Sequence, residues 1–219
     1  VTHQCARHPG VQERLAALAA STRQVPQDKL ADMTALEQHL RNQSVLLALF
    51  DDLYLFDAEG KLLIDWPLKP GRRGLDMSSR DYVQSVRESR RPFVSEPILG
   101  KATKAPIVVL AAPVLNDKGR LVAILGGVLN LHKPNLLGQL STRKLGESGY
   151  FYLISKQQRF IAHPDINRLL QPIPSAGDNP ALARAIAGFE GTLEGVNSRG
   201  LHGLFSFRRL ESTGWLLAS

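Results

Sequence analysis

Apolar residues recur along the chain with two different periods, and the change falls near residue 50. After a break at His8-Pro9-Gly10, the segment Val11–Arg23 consists largely of Ala, Leu, Gln, Glu and Arg, all good helix formers. Pro26 interrupts the run. Met33, Leu36, Leu40 and Leu47 then follow a three-four spacing that predicts a second helix over about 27–49. Such a stripe either packs on the domain or forms a seam with a second copy, and Gln43 at a seam position weakens the second alternative.

From residue 51 the period is two. Leu53–Asp57 and Lys61–Asp65 read as strands around Ala58-Glu59-Gly60, a hairpin signal. Pro67 to Gly74 is loop; Ser79–Ser89 predicts a short helix with Ser78 or Ser79 as N-cap. Phe93–Ser95 is a brief strand, and Ile107–Leu115 and Arg120–Leu131 are long apolar strands joined at Asn116-Asp117-Lys118-Gly119. The same order then returns. Tyr150–Ile154 and Arg159–Ala162 form a hairpin, and a proline-bearing loop leads to a helix at about 179–188 with Pro180 in its first turn. Strands at Gly191–Val196, Leu201–Arg209 and Trp215 to the end complete it. From Tyr54 to Tyr150 the offset is about 96 residues, and only the order of elements repeats. Consecutive hairpins with a helix inserted make an α+β fold. The predicted layout is a helical stalk over 1–50 and two lobes, 51–132 and 133–219.

A length of 219 residues suits one large domain or two small ones. Leu, Ile, Val and Phe supply about 30% of the chain, well above the disordered range. No apolar run reaches the length of a membrane span. No signal peptide is visible and the chain begins at Val1, so it reads as a piece of something longer. The single Cys5 excludes an internal disulfide. The net charge is +7 and the pI about 9.8, which alone suggests nucleic acid, an anionic membrane surface or an acidic ligand. Position sharpens that: residues 66–105 hold nine Lys/Arg against four Asp/Glu, a local +5.

Several motifs, weak singly, occur in a telling order. They are His8-Pro9-Gly10-Val11, the hairpin Tyr54-Leu55-Phe56-Asp57-Ala58-Glu59-Gly60-Lys61-Leu62, and Ser79-Arg80-Asp81-Tyr82. Val94-Ser95-Glu96-Pro97, Ala112-Pro113-Val114 and Asp117-Lys118-Gly119-Arg120-Leu121 follow. Gly146-Glu147-Ser148-Gly149-Tyr150, His163-Pro164-Asp165 and Gly214-Trp215-Leu216-Leu217 close the series. In this arrangement the chain resembles the double Cache family, extracytoplasmic sensor modules of bacterial membrane receptors. The resemblance implies a long N-terminal helix carrying two PAS-like lobes, each with an antiparallel sheet of about five strands. It also implies a periplasmic domain of an inner-membrane protein, with a possible homodimer through the N-terminal helix. Of the possible outputs, a diguanylate cyclase is favoured over a histidine kinase or a chemoreceptor, from the style of Arg72-Arg73-Gly74-Leu75-Asp76 and Gly188-Phe189-Glu190-Gly191.

The resemblance places a ligand pocket in the first lobe, between sheet and loop–helix segment, where the +5 lies. Arg80 aligns with the arginine that holds a ligand carboxylate in amino-acid-binding relatives, and a guanidinium can do so with two parallel hydrogen bonds. The alternative for Arg80 is a surface pair with Asp76 or Asp81. Tyr82 offers a ring face and a hydroxyl. Trp66, Arg73, Ser95 and Lys104 fall in segments able to line the same cleft. Where that pattern has a carboxylate for the ligand's ammonium this chain has Asn130, and the partners expected after Ser95 fall on Ile98 and Gly100. An amide cannot neutralise a cation. The expectation is therefore a small anion without an amine, such as a carboxylate.

Other chemistry recedes. His163-Pro164-Asp165 lacks a third ligand or nucleophile and reads as a turn, Gly195 to Gly200 lacks the Lys-Ser/Thr of a phosphate loop, and Asp51 and Asp52 read as a cap or surface pair. No catalytic residue, cofactor or metal is called for, so the chain is expected to be no enzyme itself. A nucleic-acid-binding protein remains the alternative because of the pI, but aromatics are only 6% and are not interleaved with the basic residues.

Overall fold

The structure, a computed structural model, describes residues 37, 38, 40–42 and 48–219. The predicted helix over 11–23 and most of that over 27–49 lie outside the described residues. Within them, residues 37, 38, 40 and 41 and residues 48 and 49 are helical, and these short pieces do not support a long N-terminal helix. Leu40, from the predicted stripe, is buried.

The chain forms two compact units. The first comprises residues up to Ser95 with Val108–Leu129, the second Glu96–Ile107 with Asn130–Ser219. In the first, β1 (Asp52–Asp57) and β2 (Leu62–Trp66) pair antiparallel. The Asp57 carboxylate closes their turn by accepting the N–H groups of Glu59, Gly60 and Lys61 at 3.1, 2.8 and 2.8 Å. Gly60 has φ +102°, which only glycine adopts freely. Helix α1 (Asp81–Ser89) buries Tyr82, Val83 and Val86. It begins two residues later than the serines predicted. The Arg80 N–H closes a turn on the Met77 carbonyl and Ser78 N–H goes to Asp76 Oδ1, so the serines belong to a turn and Arg80, with extended backbone, is the N-cap residue. Burying each large apolar side chain of α1 is worth about 1.5–3 kcal/mol.

After β3 (Phe93–Val94) and β4 (Ile98–Leu99) come β5 (Pro106–Leu115) and β6 (Leu121–Asn130), both buried almost throughout. These four join β1 and β2 in a six-stranded sheet ordered β2-β1-β6-β5-β3, with β4 pairing the start of β5. Their continuous apolar runs, without polar alternation, are what strands covered on both faces require.

In the second unit, α2 (Gly138–Thr142) and the two-stranded ladder of β7 (Lys144–Leu145) and β8 (Gly149–Tyr150) are not among the predicted elements, and the pattern assigns Tyr150 to the strand that follows. Strands β9 (Tyr152–Ile154) and β10 (Phe160–Ala162) form the expected hairpin. Helix α3 (Pro180–Ile186) has Pro180 in its first turn and is capped by Asn179, whose Oδ1 accepts the Leu182 N–H at 3.0 Å. With β11 (Gly191–Val196), β12 (His202–Arg209) and β13 (Leu216–Ala218) the sheet order is β10-β9-β13-β12-β11. Tyr152, Ile154, Phe160, Leu182, Phe207 and Leu216 centre its core.

The two orders are the same once strands are matched by place. In each, the hairpin's first strand sits beside the last strand of the set, and the remaining pair lies beyond it. The α+β class and the internal repeat of order are thus features of the fold. Among the described residues no helix is long and apolar enough to cross a membrane.

Candidate functional site

Strand alternation and register sort the first sheet into two faces. Leu53 lies opposite Trp66 on one side and Gly127 on the other, while Tyr54 lies opposite Asp65 and Gly126. Asp52, Tyr54, Phe56, Asp65 and Gly126 therefore share one face, and Leu53, Trp66 and Gly127 the other. The Phe50 ring covers Gly127 on that second face.

The first face carries buried charge. Asp52 is 3% exposed and Asp65 fully buried. A carboxylate so placed costs several kcal/mol unless paired and hydrogen-bonded. The loop after β2 supplies the partners. Arg72, itself buried, donates from its guanidinium to Asp52 Oδ1 at 3.0 Å, and Lys69 Nζ donates to the same oxygen at 3.2 Å. The Lys69 backbone N–H donates to Asp65 Oδ2 at 2.9 Å, and Arg73 Nε to Asp65 Oδ1 at 3.4 Å. Arg73 also pairs with Glu37. The reading of Asp52 as part of a cap or surface pair is thereby corrected: it opens β1 and faces inward.

Aromatic rings line the same face. Tyr54 and Phe56 meet edge to face at 5.9 Å, and Phe56 meets Tyr82 of α1 at 6.0 Å. The Arg72 guanidinium stands 5.6 Å from the Tyr54 ring centre. Burial pushes the Tyr82 hydroxyl up to about 12, against the opposing pull of the Arg80 charge. Burial, reinforced by Asp52, holds Tyr54 still further above the usual range. The Tyr54 hydroxyl oxygen is buried and has no hydrogen-bond partner, the one such side-chain atom among the described residues.

The residues expected from sequence divide accordingly. Arg80, half-buried at the head of α1, and Tyr82 sit close enough to interact electrostatically. Trp66 lies on the opposite face, its ring 4.3 Å from the Arg41 guanidinium, so the sheet separates it from Tyr82. Arg73 is tied to Asp65 and Glu37. Ser95 is fully buried and acts on the backbone: its N–H donates to Val109 O at 2.8 Å and its Oγ accepts Val109 N–H at 2.9 Å. Lys104 is exposed in a turn of the second unit with φ +53°. Asn130 Oδ1 accepts the His132 N–H at 3.0 Å, closing the turn after β6. Tyr54, Asp52, Asp65 and Arg72 were not among the expected residues. Aspartates two apart from a tyrosine, or inside an apolar strand, were the available signal, because a carboxylate facing a core must be paired.

In the second unit, His163 is buried, with its ring 5.5, 6.1 and 5.1 Å from those of Tyr150, Tyr152 and Phe160. Its Nδ1 accepts the Asp165 N–H at 2.9 Å, which makes the motif a turn with an inward ring. Burial, with Arg168 nearby, lowers its pKa. Glu96 accepts from Trp215 Nε1 and from the Gln157 N–H, each at 3.3 Å.

Comparison with known proteins agrees with this architecture. The family model described as a Cache domain (dCache_1) matches residues 10–219. The chain is 29% identical over 164 residues to the methyl-accepting chemotaxis protein TlpB of Bacillus subtilis. That match takes in 74% of this chain and spans 23% of the relative. The ligand-binding domain of the Pseudomonas aeruginosa amino acid chemoreceptor PctC, solved with GABA, superimposes with a TM-score of 0.70 at 23% identity, covering 94% of this chain and 87% of that one. The ligand-binding domain of the Pseudomonas fluorescens chemoreceptor CtaA, solved with L-serine, gives a TM-score of 0.69 at 23% identity over 94% and 86%. These relatives are chemoreceptors, and the leaning toward a cyclase output finds no support among them. With family model and fold in accord, the chain belongs to the Cache domain family.

Proposed function

We propose that this chain is the extracytoplasmic ligand-sensing domain of a chemoreceptor, and that its first lobe binds a small carboxylate. Arg80 holds the carboxylate and Tyr82 borders the site. The observation that carries this reading is the place of Arg80: it stands half-buried at the head of α1, close enough to the buried Tyr82 to act on it electrostatically, and Tyr82 packs on Phe56 of the first face. The molecules bound in the structures of PctC and CtaA, GABA and L-serine, both carry a carboxylate. A membrane-anchored receptor with the domain outside the cytoplasm agrees with the chemotaxis relative.

Those two molecules also carry an amine, which favours a second reading, an amino acid. Against it, Asn130 stands where a carboxylate would take the ammonium, and its oxygen is engaged in a turn. Calorimetric titration of the chain with amine-free mono- and dicarboxylates and with amino acids separates the two. The expected result is binding of amine-free acids, weakened about 100-fold by Arg80→Ala, as loss of a charge-assisted anchor implies. Binding confined to amino acids overturns the first reading. Undiminished binding by the variant removes Arg80 from the site.

A further inference from the structure

The buried hydroxyl of Tyr54 has no hydrogen-bond partner, although two carboxylates belong to the same sheet face. Asp52 is its same-face neighbour along β1 and Asp65 lies directly across on β2. Both are held by Lys69, Arg72 and Arg73 instead. The result is a hydrogen-bond group on the first face, 4% exposed as a residue, with no acceptor. A buried polar group left unmatched is costly, and such groups in folded proteins have a reason. Its surroundings also define what it can meet. The charged groups that act on it are Asp52, Asp65 and Arg72, so a ligand carboxylate brought to it would face two carboxylates. A ligand ammonium would find both of them already held by cations.

We infer that the Tyr54 hydroxyl is a specificity-determining contact that donates a hydrogen bond to an uncharged oxygen, a hydroxyl or carbonyl, of the bound acid. The inference rests on the carboxylate reading of the first lobe and deepens it: the ligand class becomes a hydroxy or oxo acid. The carboxylate end belongs to Arg80, and the neutral oxygen belongs to Tyr54. The hydroxyl stays protonated at any physiological pH, since burial and Asp52 both oppose its ionisation. Phe56, packed against both Tyr54 and Tyr82, supplies an apolar wall between the two ends.

The test titrates the 219-residue chain with acids matched in pairs that differ by one oxygen: lactate or pyruvate against propionate, 3-hydroxybutyrate against butyrate, and malate against succinate. In the wild type at least one oxygenated acid is expected to bind about 5- to 10-fold tighter than its partner, the value of one net hydrogen bond. Tyr54→Phe should bring that ratio to about one while leaving the deoxy acid's affinity unchanged. The apo melting temperature of Tyr54→Phe should match or exceed the wild type, because no existing bond is lost. A ratio that survives in Tyr54→Phe, equal binding within every wild-type pair, or a clearly lower apo melting temperature overturns the inference. Failure of the wild type to bind any of these acids, or full binding by Arg80→Ala, overturns the carboxylate reading itself.

Discussion

The pairing of Asp52 with Arg72 makes a quantitative prediction about stability. Both residues are almost wholly buried, at 3% and 5% exposure, and their 3.0 Å bond lies under the loop after β2. Removing one member of a buried pair typically costs about 3–5 kcal/mol, because the other charge is left without compensation. Here Lys69 remains 3.2 Å from Asp52, but its side chain is 44% exposed, so it offsets only part of the loss. Arg72→Met, which keeps the apolar stem, should therefore cost about 2–4 kcal/mol. For a chain of this length that lowers the melting temperature by about 5–15 °C. Asp52→Asn should cost a similar amount, since it strands Arg72. The double variant removes both charges and should recover much of the difference. A double-mutant cycle read by urea unfolding is expected to give a coupling of at least about 1.5 kcal/mol. Additivity within about 0.5 kcal/mol would show that the two residues do not stabilise one another, and the account of the basic loop as a cover for buried acids would then be wrong.

Three further outcomes follow from single positions. Ser95→Ala leaves the buried Val109 N–H without its 2.9 Å acceptor and should cost about 1–3 kcal/mol in urea melts; a neutral effect would mean that β5 satisfies that group otherwise. Gly60→Ala would put a Cβ 2.8 Å from Val83 Cγ1 at φ +102°, so a loss of about 2 kcal/mol or more is expected, and a stable variant would contradict the packing of α1 on this turn. Tyr82 keeps its proton to about pH 12 in the folded protein, against about 10 in the unfolded chain. Its contribution is fully present below pH 10 and is lost as pH rises toward 12, by about 1.4 kcal/mol per pH unit across that window. Melts from pH 8 to 11 on wild type and Tyr82→Phe should show a shallower alkaline decline in the variant; identical profiles would place the hydroxyl in water.

Much of the fold was legible because it depends on local rules. The hairpin at β1 and β2 follows from Asp57 and Gly60, and helix α3 from Asn179 and Pro180, whose capping roles require only near neighbours. The long strands β5 and β6 follow from apolar runs with no helical period. The start of α1 was displaced by a turn that competed for the same serines, and the β7–β8 ladder is too short to leave a periodic trace.

The site was less legible, and the charge shows why. A linear window over residues 66–105 counts Lys69, Arg72 and Arg73 as excess, because Glu37, Asp52 and Asp65 all lie before it. Folding brings those acids to the same loop, and the apparent surplus there becomes a set of ion pairs that hold the cover of the sheet in place. Strand parity adds a second effect that no window sees. Asp65 and Trp66 are neighbours in sequence but point to opposite faces, so the aspartate joins Tyr54 while the tryptophan faces Arg41. A basic segment in a sensor of this kind therefore says little about its ligand until each cation has been matched to the carboxylates that the sheet register delivers to it. In the reading proposed above, Arg80 is a charged anchor and the Tyr54 hydroxyl, which has no hydrogen-bond partner, a neutral one, and their combination would select among acids.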